Sequence, residues 1–166
     1  MMRMRIAVQR AKGFTLIEMA VTAAIIALLA SIAFPMAEVA SQRSKERELR
    51  AALWQIREAL DAYKQAWDEG HILHVVGESG YPPSLQTLVD GVADAKSPEA
   101  AKPRIYFLRR IPRDPFNDDR EIPAEQTWGK RSYASSAADP KEGKDVFDVY
   151  SPAPGAGLNG VPYRDW

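Results

Sequence analysis

Few residues in this chain have the types and spacing that chemistry needs. His71 and His74, in "HILH", stand three apart, a spacing that can hold a metal on one helix face. No acid lies between them and no third ligand is marked by spacing, so they read as packing or solvated side chains. The serines of "YASSA" have only those same two histidines as a candidate base. Gly77 to Gly80, "GESG", is too short for a phosphate-cradling loop and reads as a turn. One acid is harder to dismiss. Glu18 is the only ionisable side chain from Phe14 to Ala37. On insertion scales a carboxylate at a membrane-helix centre costs roughly 2.5–3.5 kcal/mol. Something has to repay that cost, and catalysis is not it: no constellation of acid, base and nucleophile surrounds it.

The elements around Glu18 are legible. From Met19 to Ala37 nothing is ionisable, and this stretch approaches the roughly 20 residues that span a bilayer. Arg3, Arg5, Arg10 and Lys12 precede it with no acid among residues 1–13, so the positive-inside rule places that leader in the cytoplasm and the body outside. A secretory signal peptide cut near Ser31 to Ala33 is the competing reading. The apolar run is longer than a usual signal core, and such a peptide gains nothing from Glu18. The whole chain has 166 residues with 22 basic and 22 acidic side chains. With the four leader bases set aside, acids exceed bases in the body. That balance argues against a nucleic-acid partner. There is no cysteine, which removes disulfides, thiolate chemistry and Cys-zinc sites.

Beyond Pro35 the apolar positions become periodic. Leu49, Leu53, Ile56, Leu60, Tyr63 and Trp67 recur in steps of four and three, the signature of a one-faced helix with Gly70 as its stop. Trp54 lies off that stripe and is free to pack at a flank or meet a neighbouring subunit. The remaining residues hold 11 of the 12 prolines. "YPPSLQTLVDG" predicts a short helix from Ser84 to Val89 ending at Gly91, and "VADAKSPEAAKP" predicts a polar loop. "KRSYASSA" and "DVFDVYS" are the strand candidates. The tail, "PAPGAGLNGVPYRDW", reads as a loop anchored by Tyr163 and Trp166. The expected fold class is α+β, a long N-terminal helix packed on a small antiparallel β-sheet with a C-terminal loop.

"KGFTLIEMAV" resembles the leader junction of type IV pilins and type II secretion pseudopilins, whose pattern is a basic leader, Gly, Phe-Thr-Leu-Ile-Glu and a long apolar helix. "YPPSLQTLV", "IPRDPF" and "DVFDVYS" resemble the body of the major, G-type pseudopilins. The absence of cysteine also favours these over pilins that close their C-terminal region with a disulfide. The resemblance implies a type IV pilin-like fold, with a cleaved leader at 1–13, a transmembrane and filament-core helix at 14–37, its amphipathic continuation at 38–69 and a periplasmic body at 70–166. It implies cleavage by a prepilin peptidase between Gly13 and Phe14, N-methylation of Phe14, subunit assembly through Glu18 and Phe14, and a helix break at Pro35.

Glu18 then has a physical role, because the new amine of Phe14 on a neighbouring subunit is a partner available only after cleavage. The implied partners are further copies of the chain, minor pseudopilins, an inner-membrane assembly platform and the prepilin peptidase. The implied location is the bacterial inner membrane, with one span. A surface pilin for adhesion, motility or DNA uptake is the alternative, and a membrane-anchored periplasmic enzyme or binding module using His71 and His74 is the least favoured. No cofactor is expected. The family's calcium in the C-terminal loop is a weak alternative here, because only Asn159 and Asp165, with Asp145 or Asp148 nearby in sequence, offer side-chain oxygens.

Overall fold

A computed structural model describes residues 13–98 and 103–166. The leader, expected at residues 1–13, therefore lies outside the described residues except for Gly13. The chain divides into two units, Met1–Ser41 and Gln42–Trp166. One helix, α1, runs Leu16–Asp68 and contributes to both.

From Leu16 onward the first unit is apolar helix. Leu16, Ile17, Ile25, Ile26, Leu28, Leu29, Ile32 and Phe34 are all exposed. Among the described residues α1 is the one helix long and apolar enough to cross a membrane. Pro35 lies inside α1, and the helix continues unbroken on both sides of it, which corrects the expected break. A proline removes one N–H and leaves the carbonyl four residues earlier, here Ser31, without its helical donor. One lost bond does not outweigh the regular bonding on either side, and apolar helices tolerate proline where other groups re-satisfy the backbone.

The second unit is built on the amphipathic half of α1. Leu49, Leu53, Ile56, Leu60 and Tyr63 are buried as the four–three spacing requires, together with Ala52 and Ala59, whose small side chains sit beside the stripe. Trp67, assigned to the same stripe, is only half-buried. Its ring stacks on His74 at 3.8 Å between centroids. The end of α1 is a Schellman stop: His71 N–H donates to the Ala66 carbonyl and Gly70 N–H to that of Trp67, both at 2.9 Å, with Gly70 at φ +80°.

Opposite the stripe stand Leu85 and Leu88 of α2, which runs Leu85–Asp90. Ser84 caps it by accepting the Thr87 N–H, and Gly91 closes it. Next come two antiparallel pairs. Strands β1, Val92–Ala93, and β2, Arg104–Ile105, pair with Val92 opposite Ile105. Strands β3, Gly129–Arg131, and β4, Asp148–Tyr150, pair with Lys130 opposite Val149. Sheet structure is thus split into two small pieces rather than one. The segment read as a polar loop begins with β1, which its two short residues did not announce. Both strand candidates do pair, over three residues each, because Ser132 turns the chain: its carbonyl accepts the Ser135 N–H at 3.1 Å.

Leu108, Trp128, Val146, Val149 and Tyr163 complete one core with the stripe of α1. Each such large side chain, once buried, contributes about 1.5–3 kcal/mol. A buried polar cluster ties the loops beneath it. Asp114 accepts the hydroxyl of Ser151 and, at 2.8 Å, the Phe116 N–H, while its own N–H donates to Thr127 Oγ1 at 3.1 Å.

Candidate functional site

The residues of "GFTLIE" sit at the start of α1. Gly13 and Phe14 precede the helix and are exposed, Phe14 at 82%. Thr15 is the residue before the first helical position. Its hydroxyl oxygen accepts the Glu18 N–H at 3.2 Å, and Glu18 Oε2 accepts both the Thr15 N–H at 2.7 Å and the Thr15 hydroxyl at 2.9 Å. This is a reciprocal capping box, with a carboxylate at the positive end of its own helix. The spacing T-x-x-E in the sequence is the signal for such a box. Thr15 is accordingly the residue of this site that sequence reasoning missed.

The structure thus brings Phe14, Thr15 and Glu18 together in one helical start, with Gly13 just ahead of them. Among the described residues, a Cβ added at Gly13 meets nothing within 4 Å. Further along, Thr22 donates its hydroxyl to the Glu18 carbonyl at 2.9 Å and Ser31 donates to the Leu28 carbonyl at 2.7 Å, so the polar groups of the apolar half are turned onto their own backbone. That leaves a long apolar surface with a single carboxylate at its beginning.

His71 and His74 are held by different groups. His71 Nδ1 lies 2.9 Å from Asp94 Oδ1, joining the end of α1 to the residue after β1. His74 donates from Nε2 to the Trp67 carbonyl at 2.5 Å while stacked on the same residue's ring. Asp94 also accepts the Lys96 N–H and the Ser97 hydroxyl. These bonds, that of His71 foremost, hold its carboxyl below the usual aspartate range. His71 is thus engaged by a carboxylate and His74 by a carbonyl and an indole ring. Among the described residues no group of three or more His, Cys, Asp or Glu side chains is placed to hold a metal ion.

The chain's similarity to known proteins bears on the same N-terminal segment and on the body. The family model described as the prokaryotic N-terminal methylation motif matches residues 8–34. The type II secretion system core protein G of Klebsiella pneumoniae is 30% identical over 118 residues, covering 69% of this chain and 75% of that protein. The chain belongs to the type II secretion system core protein G family. Its counterpart from Klebsiella michiganensis is 27% identical over 82% of this chain and 90% of the relative. That of Aeromonas hydrophila is 26% identical over the same two shares. No solved structure matches the chain.

In the C-terminal loop, calcium is the weak alternative to the expected absence of a cofactor. Calcium gathers six to eight hard oxygens, usually several of them from carboxylates. Of the four side chains the sequence offers for it, three are engaged elsewhere. Asp145 accepts the Tyr133 N–H at 2.8 Å and the hydroxyl of Ser79. Asp148 accepts Arg57 Nε at 2.8 Å and Arg131 at 3.2 Å. Asn159 Oδ1 accepts the Val161 N–H at 3.1 Å, and Asp165 is exposed beside Arg164. These engagements do not fit a calcium shell. The loop is instead held by side chains. Tyr163 is buried, with its ring 4.2 Å from that of Phe116, and Trp166 donates its indole N–H to the Val161 carbonyl at 3.1 Å.

Proposed function

We propose that this chain is a structural subunit of the type II secretion pseudopilus, anchored in the inner membrane by the apolar half of α1 and extracted from it to polymerise into a periplasmic filament for protein export. Family membership supports the subunit role, and the unpartnered apolar helix of the first unit supports the anchor. The observation that carries the reading is the helical start itself. Gly13 and Phe14 lie exposed ahead of a capped helix, where a peptidase can reach the bond between them, and Glu18 is the one carboxylate on an apolar surface.

On this reading the prepilin peptidase cuts after Gly13 and Phe14 is N-methylated. Residues 1–13 face the cytoplasm and the body faces the periplasm. The carboxylate of Glu18 pairs with the Phe14 amine of the next copy, since in hydrocarbon an unpaired charge has no good alternative. Further copies of the chain, minor pseudopilins and an inner-membrane platform are its partners, and the part it plays is mechanical rather than catalytic.

Gly13→Leu tests the reading in cells. Among the described residues a Cβ at Gly13 meets nothing within 4 Å, so the effect is expected to report on the peptidase rather than on folding. The expected result is an uncut precursor that stays in the membrane and forms no filament. Cleavage at the normal bond in that variant overturns the processing scheme.

A further inference from the structure

Calcium sites gather carboxylate and backbone carbonyl oxygens around one positive centre. Such a gathering exists at the C-terminal end of this chain, and its centre is a guanidinium. Arg57, on the amphipathic half of α1, donates from Nε to Asp148 Oδ1 at 2.8 Å. From its second nitrogen it donates to the Val149 carbonyl at 3.2 Å and to the Trp166 backbone oxygen at 2.7 Å. We propose that Arg57 takes the place of a metal ion, so that this subunit orders its C-terminal loop without calcium.

Charge and polarity at both ends of the loop agree with this. An ion seeking the same oxygens has to displace Arg57 and then meet the repulsion of Arg131, which holds the other oxygen of Asp148. The opposite end of the loop presents donors, the wrong polarity for a cation. The Leu158 N–H donates to Glu46 Oε1 at 2.7 Å, and the Tyr163 hydroxyl reaches the same oxygen at 3.4 Å. Gln42 donates to it as well, at 3.2 Å. Glu46 is 6% exposed, and a buried carboxylate is tolerated only with such partners. The loop is therefore fastened at two points, by a cation on α1 that joins its last residue to β4 and by an anion on α1 that collects its N–H and O–H groups. Arg50 adds a third contact, with its guanidinium 4.4 Å from the centre of the Trp166 ring. Charge-assisted bonds of this kind are about twice as strong as neutral ones.

The inference concerns the folded body and stands whether or not the pseudopilus reading does. It is tested on the full chain in detergent micelles by amide hydrogen exchange of Leu158 and Trp166, with EGTA or with calcium at about 1 mM, the upper range for extracellular sites. The wild-type chain is expected to exchange at the same rate in both and to melt at the same temperature. Faster exchange in EGTA, or a calcium-dependent rise in melting temperature, overturns the proposal, and this arm needs no variant. Arg57→Met is expected to speed exchange at Trp166, and Glu46→Leu at Leu158, each on the order of ten-fold. Wild-type exchange rates in both variants remove the clamp.

Discussion

At the scale of single residues, Glu18 carries two interactions that the wild-type side chain cannot separate. Its carboxylate closes a capping box with Thr15, and its charge is available to a neighbouring amine. Glutamine at the same place retains the cap, because Gln serves at this position of a capping box, but loses the charge. Glu18→Gln is therefore expected to insert and be processed normally while filament yield falls as far as in Glu18→Val. If Glu18→Gln assembles fully and only Glu18→Val fails, the cap alone is what the residue supplies. Quantifying sheared filaments by immunoblot distinguishes the two. Asp94 offers a titration test in the body. Its carboxyl is held below the usual aspartate range first by His71 and then by Lys96 and Ser97. A depressed carboxylate stabilises the fold above its unfolded-state pKa, and that contribution is lost as pH falls through the lower folded value. Asp94→Asn is expected to lower the melting temperature at neutral pH and to lose less than the wild type on acidification to about pH 3. Parallel melting curves at the two pH values check it.

At the scale of elements, the pairing of β3 with β4 depends on a missing side chain. Gly129 stands opposite Tyr150, and a Cβ there would lie 2.3 Å from the Tyr150 ring. The ring covers the glycine, so any side chain has to push it out. Gly129→Val is expected to destabilise the body by about 1–3 kcal/mol, the usual cost of overpacking, despite valine's higher strand propensity. Denaturant unfolding at equilibrium measures it, and an unchanged midpoint contradicts the close packing. Other elements were readable because their determinants are local. The stop of α1 at Gly70, the cap at Ser84 and the close at Gly91 each need only a few neighbouring residues. Strands β1 and β2 were not readable. Two residues are too few to show alternation, and their pairing is decided by contacts from elsewhere, such as Phe107 and Leu108 N–H donating to the Leu88 carbonyl.

At the scale of the whole molecule, every buried apolar residue of the core falls between Leu49 and Tyr163. The described residues up to Ser41 bury no large side chain and fall in a unit of their own. A chain beginning at Gln42 is therefore expected to fold, to dissolve without detergent, and to melt within a few degrees of the full chain. Differential scanning calorimetry checks this, and a molten or insoluble product contradicts it. By itself, the sequence determined the division between an apolar and an amphipathic helix and the face that α1 buries. Both rest on local pattern, in which residue type and spacing are sufficient. Only the tertiary structure decided what holds the C-terminal loop. Glu46, Arg57 and Asp114 read in sequence as ordinary charged residues of an amphipathic helix and a turn. Their burial and partners come from segments up to 117 residues away, as when Glu46 receives the Tyr163 hydroxyl, and no local spacing encodes a contact at that range.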